Sequence, residues 1–118
     1  MKKIIFVDDE INLLQGLKRS LRSKKGEWDM LFLESGKETL EVLKRSRYDI
    51  IVSDYRMPDI NGIELLKVIK EKYPYMIRIL LTGQSEAEIF EKAKDLVNVY
   101  LPKPCSAHDL ILNIEKVI

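Results

Sequence analysis

Two rhythms of apolar and polar positions alternate along this chain. Short apolar runs at 3–7 (KIIFV), 28–34 (WDMLFLE), 48–54 (YDIIVSD), 76–83 (MIRILLTG) and 98–102 (NVYLP) predict five strands. Four of these are nearly continuous in apolar residues, as expected of strands covered on both faces. Between them the apolar spacing changes to three and four, which predicts amphipathic helices. Ile11, Leu14, Leu17 and Leu21 form the first helical stripe, and Gly26 reads as its stop signal. Ser35 and Glu38 stand at capping-box spacing ahead of Leu40 and Leu43. Ile63, Leu66 and Ile69 carry a third helix that Pro74 closes. A second capping-box spacing at 85–88 opens a short fourth helix running to about Asp95. Its anchors are Ala87, Ile89, Phe90 and Ala93, few enough to make it the least firmly held element. Residues 106–109 cap a last helix that buries Leu110, Ile114 and Val117.

Five strand–helix alternations with short loops predict an α/β domain, a parallel sheet with helices on both sides. Right-handed crossovers restrict its layout. In such sheets ligands bind beyond the carboxyl ends of the strands. Composition narrows the functions. The 118 residues suit one domain, read here as spanning 1–118. Twenty basic against nineteen acidic residues give a net charge of +1, which offers no argument for nucleic-acid or membrane binding. No apolar run approaches a membrane span, and the amino terminus does not read as a signal peptide. A single cysteine, Cys105, excludes an internal disulfide and a thiolate metal site. The expected compartment is the cytoplasm.

The chemistry gathers at the strand exits. The first strand runs into Asp8, Asp9 and Glu10, the third into Asp54, the fourth into Thr82, and the fifth towards Lys103. Neighbouring strands lie roughly 5 Å apart, so adjacent first and third strands would bring Asp8 or Asp9 to Asp54. Carboxylates that close repel, and a divalent cation relieves the repulsion. Mg²⁺ suits an oxygen-only donor set that leaves room for water; Ca²⁺ or Mn²⁺ could substitute. With Lys103 and Thr82 added, the set suits a phosphoryl group, and Asp54 becomes an in-line nucleophile.

Each residue alone has a plainer reading. Strand-end acids are commonly helix caps or turn formers. Thr82 before Gly83 reads as a turn residue, and Lys103 as a solvated charge held stiffly between two prolines. Tyr100 reads as a half-buried strand residue, Trp28 as hydrophobic cover, and His108 and Cys105 as surface or loop residues. The ordered coincidence of acids, acid, hydroxyl and lysine at successive strand ends is what favours the chemical reading.

The motifs VDDE (7–10), SDYRMPDINGIELL (53–66), LLTG (80–83) and YLPKP (100–104) together resemble the receiver domain of bacterial two-component response regulators. The resemblance covers the whole chain. It implies a flavodoxin-like, doubly wound three-layer fold with strand order 2-1-3-4-5. It implies Asp54 as phosphoacceptor, exposed at its strand end. It implies Mg²⁺ bound by Asp8, Asp9, Asp54 and the main-chain carbonyl of Arg56, with Asp9 ahead of Asp8 as direct ligand. It further implies phosphoryl contacts from Thr82 and Lys103, a switching aromatic at Tyr100 and a cis Lys103–Pro104 bond. Asn61-Gly62 would supply a turn tolerant of positive φ. Arg56 and Gln84 would tune phosphate lifetime.

The implied function is a phosphorylation switch rather than an enzyme with an external substrate. A sensor histidine kinase or small phosphodonor loads Asp54, Thr82 moves, and Tyr100 rotates into the vacated space. The fourth helix, fifth strand and fifth helix then present a changed surface to an output domain, a downstream protein or a second copy. RILLTG at 78–83 resembles receivers joined to output domains, including cyclic-dinucleotide phosphodiesterases, and points to an excised module. Two other classes compete. A Mg²⁺-dependent phosphohydrolase would want Asp-x-Asp after the first strand, and here the acids are adjacent. An unphosphorylated interaction module would not need the full acid, Thr and Lys set.

Overall fold

The structure is a computed structural model and describes residues 1–83 and 88–118. Five strands alternate with five α-helices: β1 Lys2–Val7, α1 Ile11–Ser20, β2 Trp28–Leu33, α2 Gly36–Leu43, β3 Ile50–Asp54, α3 Gly62–Lys72, β4 Ile77–Thr82, α4 Ile89–Ala93, β5 Val99–Pro102 and α5 Ala107–Val117. All pairings are parallel, and the sheet order is β2-β1-β3-β4-β5. Fold class and order match the expectation.

The unbroken apolar runs work as expected for a sheet covered twice. Ile5, Val7, Ile51 and Leu80 point to one face, where Leu43, Leu65, Leu66, Ile69, Ile89 and Ala93 of α2, α3 and α4 cover them. Ile4, Phe6, Ile50, Val52 and Ile79 point to the other, under Leu14 of α1 and Leu110 and Ile114 of α5. Successive residues alternate between these faces because the strand period is two. Each such aliphatic side chain contributes about 1.5–3 kcal/mol when fully buried.

Several helix boundaries differ from the pattern. Helix α1 ends at Ser20, and Leu21, fully buried, closes it into a 3₁₀ turn at Arg22–Lys24. Gly26 is therefore not its stop signal, and it has no positive φ. Ile11 is half exposed rather than part of the inner stripe. Tyr48 and Asp49 precede β3 instead of belonging to it. Ser35 caps α2 through the Glu38 N–H at 3.1 Å, while Glu38 Oε1 takes the N–H of Glu34. Ser106 caps α5 through the Asp109 N–H. The fourth helix is shorter than predicted, and the Ser85 end of its capping box, with Gln84 and Ala87, lies outside the described residues. Phe90 is 48% exposed and is not an inner anchor.

The corner before β5 is held by Arg78, buried in β4. Its guanidinium donates to the carbonyls of Leu96 (2.7 Å), Met76 (2.7 Å) and Pro74 (3.4 Å). Asn98 returns the link, its side chain accepting from the Arg78 N–H and its own N–H donating to the Arg78 carbonyl.

Candidate functional site

Parallel pairing puts every strand's carboxyl end on one edge of the sheet, and the predicted residues meet there. The β1–β2 ladder runs one bond past β1, where the Asp8 N–H reaches the Leu33 carbonyl. Asp8 Oδ1 then accepts from the Glu10 N–H at 2.9 Å. Helix α1 starts without a side-chain cap, so the acids after β1 are not spent as its N-cap. Register pairs Val7 with Ser53, so β3 reaches its last residue, Asp54, directly beside the β1 exit. Carboxylate oxygens of Asp8, Asp9 and Asp54 all lie within 4.8 Å of one another.

Lys103 arrives from the far side of the sheet. Its backbone N–H donates to the Thr82 carbonyl at 2.6 Å. Its ammonium stands 2.7 Å from Asp54 Oδ1 and 3.7 Å from Asp8 Oδ2. The Lys103–Pro104 peptide is cis. Burial pushes the Asp54 carboxyl above the usual carboxylate range; the Lys103 hydrogen bond and charge oppose that shift only in part, and Asp8 adds to it. Burial acts to lower Lys103, but its bond to Asp54 and the charges of Asp54, Asp8 and Glu10 outweigh it and raise the ammonium. Asp9 is exposed and, among the described residues, makes no ion pair. Three carboxylates facing one ammonium leave net negative charge in an oxygen-only set, which fits a hard divalent cation.

Asp54 differs from the expectation in one respect. It is 5% exposed and sits on the floor of a cavity of about 640 Å³ instead of standing out at the strand end. The strand ladder continues past it, with the Tyr55 N–H on the Leu81 carbonyl, and residues of the next turn line the same cavity. Asp9, Glu10, Arg56 and Lys103 line the same cavity, with Met57 and Pro58 as its apolar wall.

The Asn61-Gly62 turn also works differently. No glycine among the described residues has positive φ. Asn61 is the N-cap of α3 and forms a reciprocal capping box with Glu64, each bond at 2.9 Å. Gly62 is needed for space: a Cβ there would lie 2.6 Å from the Asp54 carbonyl oxygen and 2.8 Å from Leu80 Cδ1. That close approach seats α3 against the back of Asp54.

Thr82, also buried, faces away from the cavity. Its hydroxyl donates to the Tyr100 hydroxyl at 2.8 Å. The half-buried Tyr100 ring meets Phe90 of α4 edge-on, 5.2 Å between centroids. The resemblance already couples Thr82 with Tyr100, but the sequence did not reveal the Phe90 end of this Thr82–Tyr100–Phe90 chain, since Phe90 stood as a core anchor. The sequence also missed Asp59, whose Oδ2 accepts from the Lys37 N–H at the start of α2. Neither contact has a local sequence signal. Gln84 lies outside the described residues.

The doubly wound α/β fold thus carries paired acids, a lysine and a buried threonine at the carboxyl edge of its sheet. A family model described as the response regulator receiver domain matches residues 4–115. The chain belongs to that family. It is 34% identical over 113 residues to the DNA-binding transcriptional regulator NtrC of Proteus hauseri, covering 95% of this chain and 24% of that protein. It is 32% identical over 120 residues to a CheY chemotaxis protein homolog of Campylobacter jejuni, covering 98% of this chain and 92% of that one. The chain thus spans about a quarter of the first relative and nearly all of the second. The solved structure of the response regulator TrrA from Thermotoga maritima, in complex with Mg²⁺ and a beryllium fluoride, superposes with a TM-score of 0.87 at 29% identity, each chain fully covered.

Proposed function

We propose that residues 1–118 form a phosphorylation switch whose acceptor is Asp54. One carboxylate oxygen of Asp54 attacks the phosphorus of a phosphohistidine on a sensor kinase, or of a small phosphodonor such as acetyl phosphate. The new O–P bond forms as the bond to the donor breaks, and imidazole or acetate leaves with its electron pair. Mg²⁺, or Mn²⁺ or Ca²⁺ in its place, would be held by Asp8, Asp9, Asp54 and the Arg56 carbonyl, and would offset charge on the phosphoryl oxygens.

The observation that carries the reading is the 2.7 Å contact between Lys103 and Asp54 inside the acid cluster. Lys103 partly neutralises the carboxylate now and stands within reach of the oxygens that arrive with a phosphoryl group. Thr82 Oγ1 lies 2.8 Å from the Tyr100 hydroxyl, and a hydroxyl both donates and accepts. As Thr82 turns to donate to a phosphoryl oxygen it moves away from Tyr100, and the Tyr100 ring shifts against Phe90 on α4. The altered α4-β5-α5 surface then signals to an output domain in the same polypeptide, to a separate protein, or to a second copy. The domain acts in the cytoplasm, turns over no external substrate, and needs neither nucleic acid nor membrane for this step.

Amide NMR with Mg²⁺ and beryllofluoride tests the reading. We expect shifts at Thr82, Tyr100 and Phe90 in the wild type and none in Asp54→Asn. Unchanged wild-type spectra would favour an interaction module that is never phosphorylated.

A further inference from the structure

The 55–61 loop supplies much of the cavity wall, and its ends and its apex are held by different elements. At the base, the Gly62 N–H donates to the Tyr55 carbonyl at 2.8 Å and the Asn61–Glu64 capping box fixes the exit. The apex is held by α2 instead. Asp59 Oδ2 accepts from the Lys37 N–H at 3.0 Å, a bond across 22 residues. Next to it, Ile60 lies over Gly36, where even a Cβ would come within 2.5 Å of Ile60 Cγ1. Asp59 Oδ1 is buried with no hydrogen-bond partner among the described residues. Burial opposes the charge on this carboxyl, but the N–H groups of Lys37, Ile60 and Asp59 itself hold it below the usual range.

The link from this apex to the cavity is short and stiff. Arg56 lies three residues before Asp59, and only Met57 and Pro58 stand between. Met57 is buried in the core. Pro58 fixes its own φ and restricts that of Met57. A displacement at Asp59 is therefore passed along the main chain to Arg56 instead of being absorbed between them.

We propose that Asp59 is a positioning residue for the cation site: its bond to the first turn of α2 sets the place of the Arg56 main chain and thereby the affinity for Mg²⁺. This rests on the reading of the site given under Proposed function. Asp59 touches neither the acid cluster nor the acceptor and acts only through the loop. Groups that orient ligands in this way typically alter metal affinity 10–100-fold when removed, of the order of one to two decades.

Calorimetric titration of the metal-free protein with Mg²⁺ alone tests this, with thermal melts in parallel. We expect Asp59→Ala to bind Mg²⁺ about tenfold more weakly. Asp59→Asn keeps an acceptor oxygen for the Lys37 N–H and should stay within about twofold of wild type. Lys37→Pro removes the same N–H from the other side, at a first-turn position where proline is tolerated, and should weaken binding as Asp59→Ala does. At saturating Mg²⁺, labelling of Asp59→Ala by acetyl phosphate should match wild type, since acceptor and lysine are untouched. Wild-type affinity in folded Asp59→Ala or Lys37→Pro would overturn the positioning role, as would an equal loss in Asp59→Asn. A wild type that takes up no Mg²⁺ would overturn the reading of the site and this inference with it.

Discussion

The Asp54 side chain sits in a conflict that the fold does not relieve by itself. Its carboxyl is nearly buried, next to Asp8, with one ammonium for company. Its folded pKa is raised, so the native state holds this proton more tightly than the unfolded chain does. For such a group, stability falls as pH rises from the unfolded value through the folded one, and the cost persists at neutral pH. Asp54→Asn removes the charge and keeps the shape. We therefore expect this variant to melt a few degrees higher than wild type in EDTA, and the gap to close when Mg²⁺ is added. A lower melting point in EDTA would mean that the Lys103 ion pair outweighs the burial of the charge. The strand-end position of Asp54 was legible in the sequence because an apolar run stopped at an acid. Its depth was not, since that depends on what the fold packs around it. The same holds for Asp59: in sequence it is one acid in a turn, and its partner Lys37 belongs to another element.

At the scale of elements, α3 and β3 are set by a single missing side chain. Helix α3 begins so close to Asp54 that Gly62 has no room for a Cβ. Gly62→Ala must push α3, Leu80 or the Asp54 main chain aside. Overpacking of this kind costs about 1–3 kcal/mol, readable in a urea denaturation curve, and phosphoryl uptake should slow along with it. An alanine variant with wild-type stability would show that the contact relaxes freely. Strand and helix identities followed from periodicity because the inner strands β1, β3 and β4 are largely covered on both faces and the helices bury one side. Boundaries were less legible where capping and tertiary contact compete with pattern. Leu21 ends α1 by burying itself, and Asn61 reads as a turn residue until its side chain is seen to cap α3. Phe90 fits the helical stripe but lies outward because α4 presents only Ile89 and Ala93 to the core.

Across the whole molecule, parallel order is what converts four distant sequence segments into one site. Strand order 2-1-3-4-5 puts the exits of β1 and β3 side by side, with β4 and β5 following, so the acids and Lys103 meet at one edge, with Thr82 at the end of β4 on that same edge. The same order places Thr82 beside Tyr100 on β5, whose ring meets Phe90 on α4. The central proposal is that Asp54 accepts a phosphoryl group in a Mg²⁺-dependent step. Its most direct measurement is mass spectrometry of the protein after acetyl phosphate treatment, with the acyl phosphate trapped and located by peptide mapping. We expect one adduct per chain, mapped to Asp54, absent with EDTA and absent in Asp54→Asn. An adduct mapped to another residue, or retained in Asp54→Asn, would contradict it.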